Sequence, residues 1–163
     1  MKIRLLPSLF ATLLLVGAAH ASQATQVHAE HGWIRVLPAG LPAGGYVVLH
    51  NDADQPATLT GASSARYASV MLHQSTTEGG MGRMKMVDHV VVPAHGNVAF
   101  APGGYHLMLM QAQTPVQVGE TVPVTLTFAD GSRLDVPFLA RPANAVDAGP
   151  MHKMPMTPAP AGH

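Results

Sequence analysis

The 163-residue chain carries nine Lys and Arg against nine Asp and Glu, so its formal net charge is zero with His neutral, and only 11 % of its residues are charged. That length suits one domain with a substantial core, and the lack of any basic run excludes an electrostatic nucleic-acid surface and a charge-driven hold on a membrane. Ten Met and ten His stand beside no Cys, which excludes internal disulfides, thiolate catalysis, thiolate zinc sites and a blue-copper centre.

Residues 1–21 read as a secretory signal peptide. Lys2 and Arg4 give a positive start, Leu9 to Val16 is apolar apart from Thr12, and Ala19-His20-Ala21 supplies an Ala-x-Ala cleavage site. The apolar run is about half of the roughly 20 residues that a spanning helix needs. Cleavage after Ala21 and a soluble exported protein are therefore expected, with no stable membrane anchor and no Cys to carry a lipid. A bacterial periplasm is the expected destination.

Residues 22–140 read as one all-β domain. Short apolar runs rich in β-branched residues, separated by turn signals, fall at Trp33–Val36, Tyr46–His50, Ala57–Gly61, Ser69–His73, Met84–Met86, Val87–Val92, Asn97–Phe100, Tyr105–Met110, Thr121–Phe128 and Arg133–Phe138. Asp130-Gly131 between the last two marks a tight hairpin. Many short strands at intervals of roughly ten residues indicate a β-sandwich or barrel of mostly antiparallel strands. From residue 141 to 163 the pattern dissolves into Pro, Ala and Gly, as expected of a disordered tail.

After Met1, methionine occurs in only three stretches, 71–86, 108–110 and 151–156. Met used as core filler would scatter over all strands, whereas the other strands here use Val, Leu, Ile and Phe. Each stretch also contains His or lies beside one. Thioether sulfur is soft and neutral and imidazole is borderline, so a mixed set selects Cu(I) over Mg²⁺ or Ca²⁺. Thioethers also form no disulfides in an oxidising compartment. Along Tyr105–Met110, alternation puts His106, Met108 and Met110 on one face and Leu107 and Leu109 on the other.

The spacing is His73-x10-Met84-x21-His106-x-Met108. Together with Gly32-Trp33-Ile34-Arg35, Gly44-Gly45-Tyr46, Asn51, Met71-Leu72-His73 and Pro102-Gly103-Gly104-Tyr105-His106-Leu107-Met108-Leu109-Met110, it resembles the periplasmic copper chaperone family known as PCu(A)C over nearly the whole mature length. The resemblance implies a cupredoxin-like β-sandwich or barrel that binds one Cu(I) through His73, Met84, His106 and Met108. It further implies delivery towards the Cu(A) centre of cytochrome c oxidase subunit II, alongside a Sco-type protein. The other reading of the same ligands is a copper-buffering or resistance protein without a dedicated recipient.

Met81, Met86 and Met110 lie close to those four in sequence and are candidates for accessory or exchange ligands. Gly79-Gly80 and Gly82 suggest a mobile loop carrying Met81 and Met84, or equally a plain glycine-rich turn. In the tail, Met151, His152, Met154, Met156 and His163 form a second copper-collecting candidate, with His152 and His163 able to take Cu(II). His50, His89 and His95 read as ordinary surface residues, and Trp33 and Tyr46 as core. An enzyme is not expected, because the chain has no nucleophile–base–orienter set, no HExxH and no phosphate-binding glycine loop.

Overall fold

A computed structural model describes residues 21–38 and 40–146. The signal-peptide reading of residues 1–21 therefore lies outside the described residues except at Ala21, as does the tail beyond Val146 with Met151, His152, Met154, Met156 and His163. A short helix, α1 (Gln23–Gln26), leads into ten strands: β1 (Val27–Arg35), β2 (Ala43–Asn51), β3 (Ala57–Ser63), β4 (Tyr67–Glu78), β5 (Met81–Met86), β6 (Val90–Val92), β7 (Gly96–Phe100), β8 (Tyr105–Ala112), β9 (Thr121–Phe128) and β10 (Arg133–Arg141). The all-β, cupredoxin-like expectation holds.

Strand order runs β4-β8-β7-β2-β1-β10-β9-β3, and the β3–β4 pairing through Ala62 and Val70 closes these eight into a barrel. Strand β5 extends the sheet beyond β4, and β6 extends it beyond β3. Pairings are antiparallel apart from β1–β10 and the single β7–β8 pair. Closure hides most backbone edges, leaving β5 as an open edge next to β4.

Alternation fills the interior. Leu49, Leu59, Leu107, Leu109, Val122, Val124, Leu126 and Phe138 are fully buried and belong to one apolar cluster, each at a strand position whose neighbours point outward. Trp33 and Tyr46 are also buried but stand outside that cluster. Their rings stack at 4.4 Å on the outer face of β1 and β2, with the guanidinium groups of Arg35 and Arg141 lying over them. Both are buried, as the sequence leads one to expect, but in a layer of their own sealed by two cations, since Ile34 between Trp33 and Arg35 takes the position facing the barrel interior.

Two turns position the elements that matter below. Gly79 and Gly80 both take positive φ, 58° and 80°, and join β4 to β5 as a two-residue hairpin that only such angles allow. Pro102 and Gly103 (φ 86°) make a tight turn closed by Gly104 N–H donating to the Ala101 carbonyl at 3.0 Å, the arrangement in which Pro pre-sets the first central angle and Gly supplies the second. Buried Asn51 ends β2 with all its polar atoms engaged: Nδ2 donates to Gln55 and Val92 carbonyls, and Oδ1 accepts from Ala53 N–H.

Candidate metal centre

The β4–β5 hairpin fixes one half of the site by register alone. With Gly79-Gly80 as the loop, Glu78 faces Met81, Ser75 faces Met84 and His73 faces Met86, so the expected mobile loop carrying Met81 and Met84 is instead a two-residue turn followed by a paired strand. Met84 is thus a diagonal neighbour of His73 on the same face, and Met86 is its direct cross-strand partner. Met81 is an odd number of positions from Met84 and falls on the opposite face of this ribbon. All six residues of β5 are exposed.

The β4–β8 pairing supplies the other half. His73 faces His106, and Met71 faces Met108. Met108 is therefore the diagonal neighbour of His73 on the β8 side, as Met84 is on the β5 side. Met110 lies one step further, opposite Ser69. Leu72, Leu107 and Leu109 point into the barrel and are buried, so the outward face of β5, β4 and β8 carries Met84, Met86, Met71, His73, His106, Met108 and Met110.

The imidazole rings of His73 and His106 lie 5.7 Å apart and inclined at 59°. His106 Nε2 is 3.2 Å from Met84 Sδ. His106 Nδ1 lies 3.1 Å from the Gly104 carbonyl, which also accepts from Ser75 N–H at 3.0 Å. A carbonyl only accepts, so Nδ1 carries the proton, and in the neutral ring Nε2 presents its lone pair to the thioether. Two lone-pair donors facing each other are what a shared soft cation would join. Ligand bonds of about 2.0 Å to nitrogen and 2.3 Å to sulfur, the lengths known for zinc, would hold the two atoms roughly 3–3.7 Å apart.

His73 contributes a second indication. Its Nδ1 is buried without a hydrogen-bond partner, a costly state for a polar atom unless something pairs with it. Burial, reinforced by the His106 ring, lowers the His73 pKa from its ordinary value. The ring therefore stays neutral, and able to ligate, further into the acid range than a free imidazole.

The four residues singled out by spacing occupy one face. His106 is within reach of Met84 and its ring neighbours that of His73, with Met84 and Met108 diagonal to His73 on either side. Met86 and Met110 share the face, while Met81 does not. Among the described residues no three His, Asp or Glu side chains converge as a cation site. Other histidines pair with carboxylates instead: His28 with Asp52 at 2.9 Å, His95 with Asp54 at 2.7 Å and His50 with Glu30 at 3.6 Å. Sequence reading overlooked Gly104, whose carbonyl orients the His106 ring. The Pro102-Gly103 turn was its visible signal, because that turn aims the carbonyl back at β4 and β8.

A model of the LpqE-like family, described as "Putative lipoprotein LpqE-like", matches residues 27–139. Among curated proteins, "Putative lipoprotein Lxx21020" of Leifsonia xyli subsp. xyli is 32 % identical over 111 residues, 68 % of this chain and 66 % of that protein. The uncharacterized protein RP573 of Rickettsia prowazekii is 27 % identical over 89 residues, 54 % of this chain and 49 % of that one. The chain thus spans just under two thirds of the first of these relatives and about half of the second. Among solved structures, the copper-bound PCuAC domain from PmoF2 superposes with a TM-score of 0.62 at 27 % identity, covering 76 % of this chain and 98 % of that domain. The Cu(I) form of DR1885 from Deinococcus radiodurans gives 0.58 at 37 % identity, covering 76 % and 81 %. With the family model spanning most of the barrel, and with PCuAC domains as its structural neighbours, this chain belongs to the LpqE-like, PCuAC family.

Proposed function

We propose that this chain is a periplasmic Cu(I) carrier that holds its cargo through His73, Met84, His106 and Met108 and passes it towards the Cu(A) centre of cytochrome c oxidase. One observation carries the reading: His106 Nε2 faces the Met84 sulfur at 3.2 Å on an outward sheet face, beside a His73 ring whose buried Nδ1 has no partner. Two imidazoles and two thioethers are all neutral donors. They suit a soft monovalent ion and oppose the higher charge of Cu(II). The copper-bound PmoF2 domain and Cu(I)-DR1885 support copper as the cargo, and the relatives named as lipoproteins support export.

The geometry suits carriage better than catalysis. His106 is 7 % exposed and positioned by a backbone carbonyl, whereas Met84 is 56 % exposed on a strand with a free edge. One side of the ion would be held rigidly while the other stays open to incoming ligands. Delivery to subunit II of the oxidase, directly or through a Sco-type protein, rests on the family resemblance.

The test is anaerobic Cu(I) titration against a competing chelator. Wild-type protein should show one strong site, and His106→Ala and Met108→Ala should each weaken it by about 10–100-fold or more, at least the loss that follows when a group merely supporting a ligand is removed. Unchanged Cu(I) affinity in both variants would remove the assignment. Delivery has its own test: loss of the gene should lower oxidase activity under copper limitation, and loss of copper tolerance alone would favour buffering.

A further inference from the structure

Resting on the Cu(I)-carrier reading, we infer that Met86 is a transfer ligand, through which copper moves from its resting site to the open edge of the sheet. The register makes Met86, not Met84, the direct cross-strand partner of His73. Its side chain shares the outward face with His73, Met84 and His106, and it is 63 % exposed. Strand β5 pairs only with β4, so nothing in the sheet lies beyond it.

The opposite approach is closed. On the β8 side His106 is buried and Met108 half-buried, and beyond β8 the sheet continues into β7 and β2. Within the plane of the sheet, an acceptor's donor atoms can therefore come alongside the ion from the β5 side, where the sulfurs are exposed. Met84 already points inward to His106, which leaves Met86 as the sulfur that faces both His73 and the open edge. Met81, the third exposed sulfur of this strand, is on the other face by register and serves as an internal control.

The step is a ligand exchange at constant charge. A bond forms between copper and the Met86 sulfur as the bond to Met108, the most deeply placed sulfur, breaks. Both donors are neutral, copper stays Cu(I), and no proton moves. The ion is then held by His73, His106 and the two β5 thioethers, where incoming ligands can displace these donors stepwise. The Gly79-Gly80 hairpin lets β5 follow the ion without straining a side-chain-bearing residue.

Met86→Leu separates this role from a resident one, because it keeps volume and apolarity while removing sulfur. Cu(I)-loaded full-length protein would be mixed anaerobically with bathocuproine disulfonate, and both release rate and equilibrium affinity measured. The expected result for Met86→Leu is a release about tenfold slower, at the low end of what a supporting group contributes to a metal site, with affinity unchanged within about twofold. Met84→Leu should lose affinity instead, and Met81→Leu should alter neither quantity.

Release at the wild-type rate in Met86→Leu would overturn the inference. So would a loss of affinity matching that of Met84→Leu, which would make Met86 a resident ligand. An equal slowing in Met81→Leu would assign the effect to the strand as a whole and overturn it too. Failure of the wild-type protein to bind Cu(I) would instead reject the carrier reading itself, and this inference with it.

Discussion

His73 is the residue on which the site turns, since it is the direct partner of His106 on one side and of Met86 on the other. Its lowered pKa has a consequence for the metal-free protein. Above the ordinary histidine value near 6.5 both folded and unfolded chains hold the ring neutral, and it contributes no pH dependence. As pH falls below that value the unfolded chain takes up a proton that the folded chain resists, so stability is lost progressively until the folded pKa is passed. Denaturant melts at pH 7.5 and 5.5 should therefore show an acid-side loss of stability that shrinks in His73→Gln. An identical pH dependence in that variant would place the effect elsewhere. Copper loading should raise stability overall yet deepen the same acid-side loss, because the bound ion keeps the folded ring unprotonated further into the acid range while the unfolded chain still takes up its proton.

At the scale of elements, β8 works on both faces. Leu107 and Leu109 are fully buried, and they anchor the strand that presents His106 and Met108 outward. Leu107→Ala should cost about 2–5 kcal/mol by removing apolar contact and leaving a cavity, and a urea melt at neutral pH would measure it. Its effect on Cu(I) affinity should be the smaller one, provided the protein remains folded. The contact between β2 and β8 is equally exacting. A Cβ at Gly45 would stand 2.9 Å from Leu109 Cδ1 and 3.1 Å from Leu107 Cβ, so Gly45→Ala should destabilise by about 1–3 kcal/mol through overpacking. A neutral outcome would mean that β2 and β8 can separate without penalty.

The β9–β10 hairpin is a second element with a distant contact. Asp130 accepts hydrogen bonds from the Ser132 hydroxyl, from Gln23 N–H and from Ser132 N–H, tying α1 to the turn, and these bonds, the hydroxyl's foremost, hold its carboxyl below the usual range. A depressed carboxylate stabilises the fold above its unfolded pKa and loses that contribution as pH falls through the folded value. Asp130→Asn should thus flatten the stability profile only in strong acid, well below the window governed by His73. Thermal melts between pH 2 and 5 would separate the two.

For the whole molecule, the barrel and the tail have separable copper roles. The described chain ends beside β1, where the Arg35 guanidinium donates to the Ala145 carbonyl at 2.9 Å. Truncation after Pro142 removes Met151, His152, Met154, Met156 and His163 while keeping every strand. The strong Cu(I) site should survive with unchanged affinity, and total copper capacity should fall. Loss of the strong site on truncation would show that the tail completes it. Metal analysis after loading under reducing and aerobic conditions would also assign any Cu(II) to the tail.

Much of this arrangement follows from local rules that a sequence expresses directly. Alternation fixes which side of each strand meets the core, and the Gly79-Gly80 hairpin sets the register between β4 and β5, so His73 and Met84 share a face by counting. The run of strands and their class follow in the same way, and β9 begins and ends where the apolar pattern does. The same count makes Met86 the direct partner of His73 and turns Met81 away, whereas only the tertiary structure decided that β4 lies beside β8. It alone set the buried Trp33 and Tyr46 in a separate layer beneath two arginines. The reason is physical: periodicity and turn chemistry act over a few residues, whereas the β4–β8 pairing joins positions 33 residues apart (106 − 73), and the packing of the closed barrel selects that pairing.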